Sequence, residues 1–533
     1  MLLSSAICLR RLSRDVVCAL VCGSTLLAVP HQAPSQAERH ANNASELFRQ
    51  ARFEEAEKQM RRAVELSPRN AQYLASLGAI LAMQQKLPEA QVYFKDSLKL
   101  DPGNWSLRRD LAASQWQLGQ LAEAQANLEQ VLKTKQGDET TTLLLGMVLE
   151  NLKDYANAAR LLALVSAQVR QRPEAVAALA RSYYKTGQRE KARLALQSLD
   201  HHPAGAESTL LGGQVAAEAE DNEVAEKFFL SARKTHPERA RVDYQIALLQ
   251  YRSGRLAESE ETLTQLIGSG HARGEVYSLL AKCHEKQGQP QKAIRAFEQA
   301  IEIEPTRETH FLDLAALLAS QRALPAALSV ASDAAKRHPN SAASLRVKGM
   351  IELRMSQYTD AVRSYDQARR LDPLNAETNR WLAVAQAEAG MTSEAISTFE
   401  DGLKQFPKDA LHFQEYGKML LKAAESGNQE VEARGAQLLS RALSLESTLP
   451  EPHYHLGQLA LQKGKTQEAL AHLNTAAKLD PRNSKVRFAL SRAYRQLGQA
   501  DEAAQQLRIY QELKASEEKV RLVPSTTTPR IPE

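Results

Sequence analysis

The residue types that most often carry chemistry are present but are not arranged to perform it. Thirteen histidines invite a search for metal ligands. His453 and His455 lie two apart on a predicted helix, about 200° around its axis, so they do not converge on one ion. His201 and His202 precede Pro203 in a predicted turn. There is no H-E-x-x-H, no cysteine pair at zinc spacing, no glycine-rich phosphate loop and no G-x-S-x-G. Gly212-Gly213 sits inside a helical pattern rather than between a strand and a helix. The acidic residues are spread over helix surfaces, with no pair in an apolar setting that would raise a pKa. The expectation is a protein without catalytic residues, metal or cofactor. Its function must then lie in a surface, and the elements that shape that surface come next.

The chain has 533 residues, 25% of them charged and 5% aromatic, with a formal net charge of +5. Its mean hydropathy of −0.42 indicates a soluble body. A charge of +5 over this length gives no argument for nucleic-acid binding. Three of the four cysteines, Cys8, Cys18 and Cys22, lie near the N-terminus, leaving Cys283 for the remainder. Cys283 stands where other segments carry Ile80, Val148, Leu249, Leu317 and Ile351. It is therefore expected as a small buried apolar residue.

Arg10, Arg11 and Arg14 followed by the apolar run Val16–Val29 have the pattern of an export signal. Ser35-Gln36-Ala37 offers small residues for cleavage, and an uncleaved anchor is the alternative. Cys22 follows Val21, which speaks against a lipoprotein. Residues 1–36 are expected to form signal or anchor plus linker, with the polar linker character running from Pro30 to about Asn43. On this reading the protein is exported to the periplasm or cell envelope, and touches a membrane only through this segment if it stays uncleaved.

From about residue 37 onward one unit returns. Ala71–Asn104, AQYLASLGAILAMQQKLPEAQVYFKDSLKLDPGN, supplies Leu74, Leu77, Gly78, Leu81, Ala90, Phe94 and Pro102 as its recurring positions. The alanine at the twentieth position returns as Ala56, Ala90, Ala124, Ala158, Ala192, Ala225, Ala293, Ala327, Ala361, Ala395, Ala469 and Ala503, with Ser259 in its place once. The eighth position is small throughout, as in Gly78, Ala112, Gly146, Gly213, Gly349 and Gly457. A proline closes many copies, as at Pro68, Pro102, Pro339, Pro373, Pro407 and Pro481, ending one helix because it lacks an amide donor. Two helices of about 20 Å each would cross at the small residue. Phe94, Leu128, Leu162, Phe229, Phe297, Tyr365 and Phe399 would fill the space between one copy and the next.

Against the signature of about 34 residues W-x2-L-G-x2-Y…A-x3-F…P, this unit resembles a tetratricopeptide repeat. The resemblance covers residues 37–517 in about fourteen copies. It implies an all-α, right-handed superhelical solenoid of antiparallel helix pairs over 37–510. A C-terminal capping helix is expected at 511–522 and a disordered tail at 523–533. The copy beginning at Ala410 carries about six extra residues, expected as a lengthened turn at Ser-Gly-Asn. The joints at His202–Gly205 and Gly268–Gly270 lack the usual proline.

In proteins that the chain resembles, the first helix of each repeat lines an inner groove, mainly through its second, fifth, ninth, twelfth and thirteenth positions. Here the early copies offer Gln72, Ala75, Ala79, Ala113, Trp116, Thr140 and Met147. Later copies turn basic and aromatic: Arg181, Tyr184, Lys185, Arg241, Tyr244, Tyr251, Arg252, Lys282, Lys286, Arg346, Arg354, Arg380, Lys418, Lys422, Tyr454, Lys485, Arg492 and Arg495. Acidic residues are fewer and include Glu174, Glu207, Glu218, Glu275, Glu285, Glu377, Glu388 and Glu451. Arginine forks and tyrosine faces at these positions suit an extended acidic ligand. A solvated charged face is the other reading. The family's carboxylate clamp needs an asparagine at the ninth position, which holds Ala79, Met147, Arg181, Lys282 and Lys418 instead. The asparagine ladder of the O-linked N-acetylglucosamine transferases would occupy the sixth, which holds Ser76, Asp110, Leu144, Ala178 and Trp381. The resemblance thus implies a non-enzymatic scaffold for other proteins or peptides, part of a multiprotein complex in a bacterial envelope. A periplasmic protein for polysaccharide export, binding an acidic glycan, is the alternative.

Overall fold

The second helix of each repeat is held by one close approach. In Ala71–Met83, a β-carbon built on Gly78 would fall 2.5 Å from a ring carbon of Phe94 and 3.2 Å from the Ala90 carbonyl oxygen. The same seat recurs with Leu162 on Gly146, Phe229 on Gly213, Tyr365 on Gly349 and Leu473 on Gly457. The large residue therefore rests first on the small residue of its own repeat. The next repeat covers it from the other side, as where Phe399 stacks on Tyr416 with centroids 5.0 Å apart and planes 8° apart. Leu507, in the last repeat, is only half-buried. The twentieth-position alanines from Ala56 to Ala469 are wholly buried. Ser259 is equally buried, and its hydroxyl accepts a hydrogen bond from Cys283 at 3.3 Å. Burial pushes that thiol above its ordinary pKa.

These contacts come from a computed structural model that describes residues 35–200, 202 and 205–521. The segment up to residue 34 expected as an export signal, the turn residues His201, Pro203 and Ala204, and the tail from 522 lie outside the described residues. Among the described residues all regular structure is helical, and no helix is long and apolar enough to cross a membrane. Fourteen first and second helices alternate along the sequence, the fourth second helix being interrupted between Leu164 and Ser166. The chain divides into two compact units, Met1–Arg255 and Leu256–Glu533. The first holds six helix pairs and helix Arg239–Arg252; the second holds helix Leu256–Gly268 and seven pairs.

The closing proline works together with the residue two places later. After Pro68, Pro102, Pro339, Pro373, Pro407 and Pro481 that residue is Asn70, Asn104, Ser341, Asn375, Asp409 and Asn483, and each side chain caps the next helix. Asn375, for instance, accepts from the Thr378 amide at 2.9 Å. Proline ends one helix, and a short polar side chain satisfies the open amides of the next. Within each pair, the turn passes through a left-handed residue: glycine at Gly119, Gly187 and Gly288, but Gln85, Lys153, Glu220, Arg322 and Ser356 elsewhere.

Three segments differ from expectation. The linker read to about Asn43 is helix from Gln36, because Ser35 and Glu38 form a reciprocal capping box and Ala37, Ala41 and Ala44 are buried. Ser35-Gln36-Ala37, the small-residue triplet, is thus the start of the first helix. The extra residues after Ala410 form only partly a turn. A short 3-10 turn, Ala424–Ser426, and a left-handed Gly427 lead to Asn428, which caps helix Gln429–Leu445. That helix has 17 residues where Thr392–Gln405 has 14, so about half of the insertion extends a helix by nearly one turn. The segment from Gln511 is not separate; Ala500–Arg521 is one continuous helix.

Substituting Gly78→Ala forces the Phe94 ring off its seat. It should lower the local stability of helices Ala71–Met83 and Leu87–Leu100 by about 1–3 kcal/mol. Amide hydrogen exchange reads this as lost protection confined to those helices and their neighbours. Unchanged protection would refute the crossing as the organising contact.

Candidate functional site

Half of the basic residues expected along the first helices are held by carboxylates about one repeat away. Arg181 Nε lies 2.7 Å from Glu150. Arg241 grips Glu207 with both terminal nitrogens, at 3.2 and 3.1 Å. Lys282 meets Asp313 at 2.7 Å, Arg380 meets Asp409 at 3.0 Å, and Lys422 meets Glu388 at 2.9 Å. Lys418 reaches Glu451 at 3.4 Å, and Arg346 reaches Asp372 at 3.8 Å at the end of its own repeat. Lys185, Arg252, Arg354, Lys485, Arg492 and Arg495 are exposed on the same helices. The two tyrosines with resolved partners are also engaged: Tyr184 donates to Asp221 at 2.9 Å, and Tyr454 accepts from Gln458 at 2.6 Å. Tyr244 and Tyr251 are half-buried, and Lys286 is exposed. The basic row is therefore divided between bridges that join repeats and side chains exposed on the same helices.

Asp221 shows how strong such a bridge becomes. Its side chain is 1% exposed, and it receives Arg193 at 2.8 Å, Arg189 at 3.3 Å and Tyr184. Burial alone would raise its pKa, but the three donors outweigh burial and hold the carboxyl at about 2. The Tyr184 hydroxyl is pushed up by burial and by the charge it faces.

The structure brings three of the expected residues, Lys418, Lys422 and Tyr454, into one open cleft in the second unit, with a volume of about 1140 Å³. Its walls come from helices Ala376–Glu388, Ala410–Ala423 and Pro450–Gln462, the first helices of three successive repeats, together with the turn at Ala424 and Gly427. Each lysine of the cleft is engaged by a glutamate, and the glutamates outnumber the lysines. Lys418 sits between Glu415 at 3.2 Å and Glu451, while Lys422 holds Glu388 and Lys463 holds Glu432 at 2.7 Å. Burial works to lower the Lys418 pKa, but the two glutamates leave it raised. Glu451 is pulled down to about 2, chiefly by the hydrogen bond with His455. Beside these pairs a ligand would meet Trp381, Val384, Met419 and Leu459, with Gln458 and Gln462 and the exposed carboxylate of Glu425.

Sequence reasoning named Trp381 only as a missing ladder asparagine, and it named Glu388 and Glu451 without pairing them with Lys422 and Lys418. The signal for the pairing was present, because Glu388 and Glu451 stand at first-helix positions one repeat from Lys422 and Lys418. No group of three or more possible metal ligands occurs among the described residues. His453 instead faces His472, with Nδ1 atoms 3.0 Å apart.

Family models described as tetratricopeptide repeat match residues 42–104, 81–141, 177–240, 274–307, 346–410 and 460–521, more than half of the chain in total. The chain belongs to the tetratricopeptide repeat family. Among curated proteins it is similar to the BBSome complex member BBS4 homolog of Drosophila melanogaster, at 24% identity over 176 residues. That match spans 32% of this chain and 36% of the fly protein, so little more than a third of that relative's length is represented. Among solved structures, yeast Tom70 is 17% identical, covering 91% of this chain and 96% of its own with a TM-score of 0.39. The complex Cut9-Hcn1 gives 13%, 86%, 96% and 0.37 in the same order. Naa15/Naa10 bound to HypK-THB gives 14%, 91%, 95% and 0.31. No function is transferred from any of them.

The tetratricopeptide bridges carry a pH signature. Asp221 has a folded pKa below its unfolded value, so its contribution is complete above about pH 4 and disappears as the pH falls toward 2. Asp221→Asn should remove it at neutral pH as well, at a cost of about 3 kcal/mol because Arg189, Arg193 and Tyr184 lose the negative charge and one of the two oxygens that accept from them. Hydrogen exchange at pH 7 should show reduced protection in helices Pro173–Lys185 and Asn222–Thr235. Equal protection in variant and parent would contradict the bridge.

Proposed function

We propose that this tetratricopeptide protein is a non-enzymatic scaffold for a multiprotein complex. A partner's extended segment lies in the second-unit cleft. The observation that carries the proposal is the cleft itself, walled by the first helices of three successive repeats, with its lysines already engaged by glutamates of the protein. Such a surface offers apolar contact and neutral hydrogen bonding rather than a cationic track. The matching of Lys418 and Lys422 by glutamates favours a segment with apolar anchors over an acidic peptide or glycan. Trp381 is the principal anchor, a large ring half-exposed at the cleft wall with the Arg380 guanidinium 5.9 Å from its centroid.

A photo-crosslinking side chain introduced at Val384 or Gln458 should capture a defined partner that one at Lys478, on a second helix, does not. Trp381→Ala should weaken that capture severalfold. Capture that is equal at Lys478, or indifferent to Trp381→Ala, would remove the cleft from the function.

The setting we propose is the bacterial cell envelope, supported by Arg10, Arg11, Arg14 and the apolar run Val16–Val29. Residues 1–36 fused to a reporter active only in the periplasm should give activity, whereas retention of the reporter in the cytoplasm would reverse this assignment.

A further inference from the structure

A second cavity, of about 460 Å³, lies in the first unit. Phe48, Met60, Ile80 and Leu107 give it apolar walls. Its polar lining is Gln72, Ser76, Asn104, Asp101 and Asp110, and no lysine, arginine or histidine lines it. Asp110 is the unusual member. It stands on helix Trp105–Gln117, is 6% exposed, and its Oδ1 is buried with no hydrogen-bond partner in the protein. The adjacent Arg109 does not bond to it. That guanidinium sits 5.5 Å from the Trp105 ring centroid and 3.6 Å from Asp138. Every other strongly buried carboxylate discussed above has a donor. Asp110 has a cavity.

We propose that this cavity binds a primary ammonium group carried on a short unbranched apolar stem, such as a lysine side chain presented by a partner. The ammonium would meet the Oδ2 of Asp110, since Oδ1 is sealed, with Gln72 and Ser76 able to accept hydrogen bonds from its other N–H groups. The stem would lie along Phe48, Ile80 and Leu107, the division of a lysine between apolar stem and charged head. An ammonium fits better than a guanidinium because its donors act as a point charge and need no planar carboxylate fork; one of the two Asp110 oxygens is sealed. The inference does not depend on the second-unit cleft.

Binding should also follow the state of Asp110. Burial raises its carboxyl to about 7, with Arg109 partly opposing. Arg109 on its own helix and Asp101 across the cavity are the charged groups near it. Helices Gln36–Arg49, Phe53–Leu66 and Ala71–Met83 contribute no titratable side chain to the lining. A cation binds the ionised form, so affinity should be full above about pH 7 and should fall about tenfold per unit below it.

The test is titration calorimetry on the full chain with three probes: N-acetyl-lysine N-methylamide, its norleucine counterpart, and 1,5-diaminopentane. The proposal expects saturable binding of a cationic probe, at least tenfold weaker binding of the norleucine compound, and decline with falling pH. Binding of the lysine compound points to a partner's side chain, and binding of the diamine alone to a free amine. Asp110→Asn, nearly isosteric, should lose at least tenfold in affinity with an unchanged helical circular dichroism spectrum. No saturable binding of either cationic probe, equal binding of the norleucine compound, or loss of the pH dependence in the parent protein would each overturn the proposal, even if the variant failed to fold.

Discussion

The protein depends on a lack of space. Where the two helices of a repeat cross, the small first-helix residue leaves room for a ring or a branched side chain and for little else. Phe94 on Gly78 and Phe229 on Gly213 leave under 3 Å for a missing β-carbon. Leu128 and Leu196 instead accompany Ala112 and Ala180, all of them buried. Phe297 and Phe399 pair with Ala281 and Ala383, so the rule is one of combined volume and ring placement rather than of glycine as such. Close packing of this kind fixes the angle and depth of each pair. The pairs are then similar enough that each first helix presents its side chains at matching places from one repeat to the next.

That regularity explains the ion pairs. A carboxylate at one first-helix position finds a basic group at the corresponding position about one repeat away, as Glu207 finds Arg241 and Glu388 finds Lys422. Exposed pairs of this kind add little each. Their effect on function is larger, because they neutralise a surface that reads as basic when positions are surveyed without regard to neighbours. Arg181, Arg241, Lys282, Arg380, Lys418 and Lys422 were visible in the sequence as a row. Their partners were visible as well, but as a separate, sparser row. The acid and the base needed to be compared at matching positions in successive copies.

Local rules with a short reach were the most legible. The buried twentieth-position alanines and the prolines followed two residues later by a cap needed only a sequence period and the chemistry of a helix end. The left-handed turn residue was harder to see, because Gln85, Lys153 and Arg322 occupy a conformation that composition would assign to glycine. At the insertion after Ala410, Ser-Gly-Asn suggested a turn. It is one, but Asn428 caps a helix that absorbs about half of the added length. In each of these cases the repeat tolerated a local cost because its neighbours determined the geometry.

Asp110 and Asp221 show where such reasoning stops. Both are aspartates buried in a chain of amphipathic helices, and neither position is marked by sequence pattern. Asp221 is reached by Arg189 and Arg193 from the preceding repeat and by Tyr184, and its carboxyl is held ionised. Asp110 has a neighbour that could have served in the same way, but Arg109 turns to Trp105 and Asp138. A buried carboxyl left in that condition is disfavoured by burial itself, and an apolar residue in its place would remove the penalty. Packing therefore accounts for Asp221 and does not account for Asp110. The difference lies in what each faces. Asp221 meets the donors of its own fold, whereas Asp110 meets a cavity without a single basic group in its lining.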